Sequence, residues 1–297
     1  EIKGVMKKLC DTVAELAASI AEDGQWSELL PFLFQCVSSD TTRWKESALM
    51  IFGQLAQYMG PQLHPHLPTL HAVFQQTLAS TMPGDVRLAA LRATSNFVQT
   101  LETPQDRECF QDLLPGMMQT LTQALDLHEE ATAQEALEMF IEVAGTEPRF
   151  LRKQLVEVVS SMLQIADADG LEEATRHLAV EFLITLAEAR ERAPGMMRKL
   201  PHFIGKLFAV LLKMLLDVDD EPLWHSAETE DETAGESSNY EVGQECLDRL
   251  ANSLGGNTIL PVASELLPAY IADQDWKKRH AALICLAQIA EGCAKVD

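Results

Sequence analysis

Ten carboxylates lie between Asp217 and Glu241, in DVDDEPLWHSAETEDETAGESSNYE, with no lysine or arginine among them. Paired carboxylates are the raw material of general acid–base catalysis. That chemistry needs a pocket that drives two pKa values apart, and no motif in this sequence supplies one. Other reaction signatures are missing as well. There is no G-x-x-x-x-G-K or G-x-G-x-x-G phosphate cradle and no G-x-S-x-G elbow. The Gly255-Gly256 pair follows a helical stretch and reads as a helix C-cap. His64-Pro65-His66 resembles a metal pair, but no Cys/His set accompanies it and the proline predicts an exposed helix start. The expectation is a chain with no enzyme activity, no cofactor and no metal. The acids are then best read as an electrostatic surface or a charged spacer.

Charge sets which partners are admitted. Asp and Glu number 45 against 23 Lys and Arg, a net charge of −22. Neutralising nucleic-acid phosphates requires Lys and Arg, so direct nucleic-acid binding is not expected, while basic proteins are attracted. The six cysteines (Cys10, Cys36, Cys109, Cys246, Cys285, Cys293) are scattered and form no C-x-x-C pair. With no secretory signal and no bilayer-length apolar run, a reducing soluble compartment is expected and membrane association is not. Both ends read as cut from something longer.

The elements that position these residues are helices. Apolar residues recur at three and four, and sustained period-two alternation is absent. Five segments align: WKESALMIFGQLAQ, VRLAALRATSNFVQ, TAQEALEMFIEVAG, TRHLAVEFLITLAE and KRHAALICLAQIAE. Each carries a small residue, at Ala48, Ala90, Ala136, Ala179 and Ala282, and the first three intervals are 42, 46 and 43 residues. Small side chains let helices approach closely, and a fixed register of close approach stacks helix pairs. Leu-Pro pairs at 30–31, 67–68, 114–115, 200–201 and 267–268 mark the starts of first helices, where proline is tolerated. Asp40, Asp85 and Asp273 are placed to precede or cap second helices. A two-helix unit of this length belongs to the HEAT and armadillo class. The predicted fold is all-α, a right-handed α-α superhelix (HEAT-repeat solenoid) spanning 1–297 as a single body. It has a leading lone second helix at about 2–23 and about six helix pairs.

The register breaks once. From Ala179 to the next small slot, Cys246, the interval is 67 residues, and the step onward to Ala282 is 36. The acidic stretch fills the excess, as an oversized turn at about 217–237 between the two helices of one repeat. The preceding helix, FIGKLFAVLLKMLLDV, is read as running to about Val218. Insertions within repeats map to one face, often the binding face, and an indole in so polar a loop predicts that Trp224 anchors part of it.

These features resemble the importin-beta family of nuclear transport receptors, specifically its importin-beta-3 class. The resemblance is carried by the acidic loop with Trp224, by YEVGQECLDRLANSLGG (240–256) and by ILPVASELLPAYIADQDWKKRHAALICLAQIAEGC (259–293), with LLPFLFQCVSSD and LLPGMMQTLTQAL also similar. In this chain Thr, Ser and Ala dilute the family's unbroken acidic run. The resemblance implies an N-terminal to central receptor fragment that shuttles between cytoplasm and nucleus through the nuclear pore as a monomer. It implies three partners: basic cargo proteins, Ran-GTP and Phe-Gly nucleoporins, the last docking between first helices. The loop acids implied to meet Ran or cargo are Asp217, Asp219, Asp220, Glu221, Glu228, Glu230, Asp231, Glu232 and Glu236. Second-helix residues implied to face cargo are Glu138, Glu142, Glu181, Glu188 and Asp248, with Asn96 and Asn252 as amide donors. Two other readings compete: a HEAT-repeat scaffold of phosphatase or vesicle-coat type, and an acidic chaperone for histones or ribosomal proteins.

Overall fold

The computed structural model describes residues 2–21, 26–189, 200, 202–220 and 236–294. The backbone groups into two compact units, Glu1–Gln154 and Leu155–Asp297. The first unit contains α1 (Ile2–Ala21), α2 (Leu29–Ser38), α3 (Thr42–Tyr58), α4 (Gly60–Leu63), α5 (Leu67–Thr77), α6 (Gly84–Thr100), α7 (Pro104–Phe110), α8 (Leu114–Asp126) and α9 (Glu130–Thr146). Short 3-10 turns occupy His64–His66, Gln111–Leu113 and Pro148–Gln154. The second unit contains α10 (Leu155–Ala166), α11 (Glu173–Glu188), α12 (Phe203–Met214), α13 (Ser238–Leu254), α14 (Gly256–Ile271) and α15 (Trp276–Ala294). Among the described residues, the one extended pairing outside these helices is an isolated antiparallel bridge between Val218 and Glu236.

The helices pair as the repeat predicts: α2 with α3, α5 with α6 and α8 with α9 in the first unit, α10 with α11, α12 with α13 and α14 with α15 in the second. Helix α1 is the leading second helix and packs on α3. Within each unit the second helices also stack on one another, α3 on α6 and α6 on α9, then α11 on α13 and α13 on α15. The small slots lie in these contacts. Ala48, Ala90, Ala136, Ala179, Cys246 and Ala282 are each no more than 2% exposed. A larger side chain there forces neighbouring helices apart, which is why the sequence repeats a small residue at this register. A close approach occurs at Gly292, where a Cβ would collide with the carbonyl carbon of Ala251 on α13.

An arginine three residues before the slot staples the turn in three repeats. Arg87 donates from Nε to the Leu78 carbonyl at 3.3 Å. Arg279 donates to the carbonyls of Asp273 and Gln274, both at 2.8 Å. Arg176 reaches toward Asp169, 3.9 Å away. Burial lowers the Arg87 pKa, since a desolvated guanidinium holds its proton less tightly.

Three local expectations need correction. Proline marks the first turn at Pro31, Pro68 and Pro115, but Pro268 sits late in α14, which also contains Pro261. The Gly255-Gly256 pair, not Leu267-Pro268, starts that helix. Gly255 has φ +75°, a left-handed conformation suited to glycine, and its N–H closes α13 on the Ala251 carbonyl. Asp40 and Asp273 precede α3 and α15 as expected, but Asp85 does not precede α6. Pro83 takes the N-cap of α6 and leaves Asp85 inside the first turn. Asp273 accepts the Asp275 N–H, and Asp275 in turn accepts the Lys277 N–H at 3.0 Å at the start of α15. Finally, α12 stops at Met214 rather than near Val218, because Val218 leaves the helix for the bridge and is 1% exposed. Pro201 lies outside the described residues.

Candidate functional site

The acidic insertion is drawn from two anchored strands of backbone. Leu215 and Val218 are buried where the chain leaves α12. Val218 pairs with Glu236 on the return. Ser237 then closes the neck. Its hydroxyl lies 2.8 Å from both the carbonyl oxygen and Oδ2 of Asp217, and it accepts the Tyr240 N–H at 3.2 Å as the N-cap of α13. One serine thus ties the two ends of the insertion and starts the following helix. Two contacts fix that helix start against α11: Ser238 donates to Glu173 at 3.0 Å, and His177 Nε2 meets Asn239 Oδ1 at 3.0 Å. Burial, reinforced by the nearby Glu241 charge, pushes the Glu236 carboxyl above its ordinary range. Tyr240 is fully buried beside it, and burial pushes its phenol up to about 12.

Of the predicted loop acids, Asp217, Asp219 and Asp220 are exposed and Glu236 is half-buried. The structure brings Asp217 and Glu236 together at the neck, on opposite sides of the bridge. Glu221, Glu228, Glu230, Asp231, Glu232 and Trp224 lie outside the described residues.

On the second helices the predicted residues divide. In the first unit, Glu138 and Glu142 on α9 are exposed. Asn96 on α6 donates from Nδ2 to the Gly53 carbonyl on α3 at 2.9 Å. In the second unit, Asn252 donates to Asp248 one turn earlier on α13, at 2.9 Å. Glu181 and Glu188 on α11 both hold Arg249 of α13. Its Nη1 and Nη2 reach Glu181 at 2.7 and 2.8 Å, and its Nε and Nη2 reach Glu188, both at 2.9 Å. Thr185 adds a hydrogen bond to Glu181, and Glu245 stands 3.7 Å from Arg249 Nη1. Bonding to two carboxylates raises the Arg249 pKa still further above its ordinary value. Arg249 carried no signal as a site residue in the sequence. Its partners lie 61 and 68 residues away. Only superposing the repeat registers of α11 and α13 would place them together.

The groups with reactive potential are quiet. Burial pushes the Cys246 and Cys285 thiols up to about 12 and raises Cys10, Cys36 and Cys293 as well, which favours the inert thiol over the thiolate. No group of three or more metal-ligating side chains occurs among the described residues. His64 and His71 meet Asp106 at 3.3 Å and Asp112 at 2.6 Å beside a cleft of about 770 Å³ in the first unit.

Comparison with known proteins decides the family. The family model described as "IPO5-like, TPR repeats" matches residues 1–161, more than half of the chain, and the "Importin repeat" model matches residues 168–261. The chain belongs to the importin-beta family, in its importin-beta-3 (importin-5) class. Importin relatives align along almost all of it. A probable importin-5 homolog of Dictyostelium discoideum is 24% identical over 98% of this chain and 27% of its own length. Importin subunit beta-3 of Saccharomyces cerevisiae is 26% identical over 99% of this chain and 27% of its own length. The chain therefore spans about a quarter of the length of the importins it matches. The crystal structure of Kap121p superposes with a TM-score of 0.81 at 25% identity, covering 97% of this chain and 27% of Kap121p. Kap121p bound to RanGTP superposes with a TM-score of 0.76 at 26% identity, covering 91% of this chain and 26% of Kap121p. The match places this importin segment in the HEAT-repeat solenoid class that the repeat predicts.

Proposed function

We propose that this importin chain is a segment of a nuclear transport receptor. Its second-helix faces take basic cargo signals, its acidic loop responds to Ran-GTP, and the intact protein shuttles between cytoplasm and nucleus as a monomer. The observation that supports this most is the likeness to Kap121p, which has been crystallised bound to RanGTP. The chain's own physics agrees. A net charge of −22 attracts basic partners at long range. An acidic loop and acidic helix faces in one receptor compete for one basic surface, which couples loop engagement to cargo release. Nucleoporin contact is assigned to the first-helix side. There a groove of about 790 Å³ in the second unit is lined by Leu163, Ala209, Val210 and Tyr270 together with the polar Ser160, Gln164, Asp167, Lys206 and Lys213. Kap121p has also been crystallised bound to Nup53p.

The nine loop acids, Asp217 to Glu236, carry the Ran response in this reading. Changing all nine to Ser or Ala in the full-length receptor is expected to weaken binding of Ran locked in the GTP form, with little change for the GDP form. A second variant retains Asp217, whose carboxylate accepts from Ser237 at the neck, and is expected to lose nearly as much. Unchanged Ran-GTP affinity and unchanged Ran-driven release of a basic cargo in both variants would overturn the assignment.

A further inference from the structure

The acidic notch between α11 and α13 already contains a guanidinium. Arg249 makes four contacts of 2.7–2.9 Å with Glu181 and Glu188, two to each carboxylate. This is the geometry by which an arginine of a basic peptide would be captured on an acidic helix face. The notch is not sealed into the core. The Glu181 and Glu188 side chains keep 37% and 38% of their exposure, and Arg249 keeps 24%. A third acid, Glu245, flanks the guanidinium at 3.7 Å and is 70% exposed. The arrangement therefore opens onto the solvent that a basic peptide would approach from.

We propose that Arg249 is a specificity-determining residue that occupies the Glu181–Glu188 notch in place of a cargo arginine or lysine, so that these two glutamates do not contact cargo in the resting receptor. The inference deepens the transport reading and rests on it. Two physical points carry it. Arg249 is tethered in the same fold as its acceptors, so an incoming cation competes with a partner of high effective concentration. Its planar fork also satisfies both carboxylates at once, which a lysine cannot reproduce. The acids available to cargo on these helices are then the ones Arg249 does not engage.

The test uses the 297-residue chain and a fluorescent Arg/Lys-rich peptide, read by anisotropy at low and at physiological salt. Arg249→Gln frees both glutamates and is expected to tighten binding on the order of tenfold. Arg249→Lys keeps the net charge and the helix but loses the fork, so a smaller gain of about threefold is expected without any change in the long-range field. Lys8→Gln removes one exposed cation from α1 in the other unit and is expected to change affinity less than twofold. Adding Glu181→Gln and Glu188→Gln to Arg249→Gln is expected to abolish the gain. If Arg249→Gln fails to fold by circular dichroism, Arg249→Lys decides alone. Equal gains in Arg249→Gln and Lys8→Gln, or none in Arg249→Lys, overturn the inference while leaving cargo binding intact. Failure of every variant and the wild type to bind the peptide overturns the transport reading together with it.

Discussion

Glu236 is held where its charge is penalised, by burial first and by Glu241 second. A carboxyl whose folded pKa is raised binds its proton more tightly in the native state than in the unfolded chain. Its contribution to stability is therefore fully present below the ordinary glutamate value and is lost as pH rises through the raised one. Glu236→Gln removes that loss. The variant is expected to melt higher than wild type at pH 7 and to converge with it in acid, as read by thermal denaturation across pH. A wild-type advantage at pH 7 would contradict this account of the neck. The cysteines give a second residue-scale outcome. Five of the six are buried and Cys109 alone is exposed, and burial favours the neutral thiol. Maleimide applied to the native protein at neutral pH is expected to modify the Cys109 peptide and spare the other five, checked by peptide mass mapping.

Helices meet here through small residues, and one tight crossing is α15 on α13. A Cβ at Gly292 would collide with the Ala251 carbonyl carbon and lie 2.6 Å from its oxygen and 2.6 Å from the Asn252 nitrogen. All three atoms are backbone, so no side chain can swing away to relieve the clash. Gly292→Ala is expected to cost about 1–3 kcal/mol through overpacking, measured by urea denaturation. Because stacked repeats depend on their neighbours, hydrogen exchange should quicken first in α13, α14 and α15. A neutral result would mean that α15 is not seated on α13 as described. The elements also show where sequence reading slips. The small slots and the Gly255 cap were legible because each answers a local steric demand. The role of Pro268 was not, because a proline late in a helix and a proline starting one look alike until the turn chemistry on both sides is seen.

The whole chain combines a repeat that builds helix faces with a charge excess that makes those faces anionic. Under the proposed Ran response, the effect of the loop acids on Ran-GTP affinity is expected to shrink as ionic strength rises, since exposed charges are screened beyond about 10 Å at 0.1 M salt. The amino-acid sequence by itself determined the all-α class, the period, the small slots at Ala48, Ala90, Ala136, Ala179, Cys246 and Ala282, and the position of the acidic insertion within one repeat. Each of these is a pattern of residue size, periodicity or charge that survives without coordinates. The family was legible too, from the acidic loop and the segments that follow it. Only the tertiary structure decided which acids are already engaged. Glu138, Glu142, Glu181 and Glu188 look alike as acids on second helices, yet it is Glu181 and Glu188 that close on Arg249. Likewise Asn96 and Asn252 look alike as amides, yet one bridges to the Gly53 carbonyl of another helix and the other bonds Asp248 of its own. The reason is physical. A side chain's availability depends on the partner that an adjacent helix brings to it, and residues 61 or 68 apart meet only once the helices have stacked.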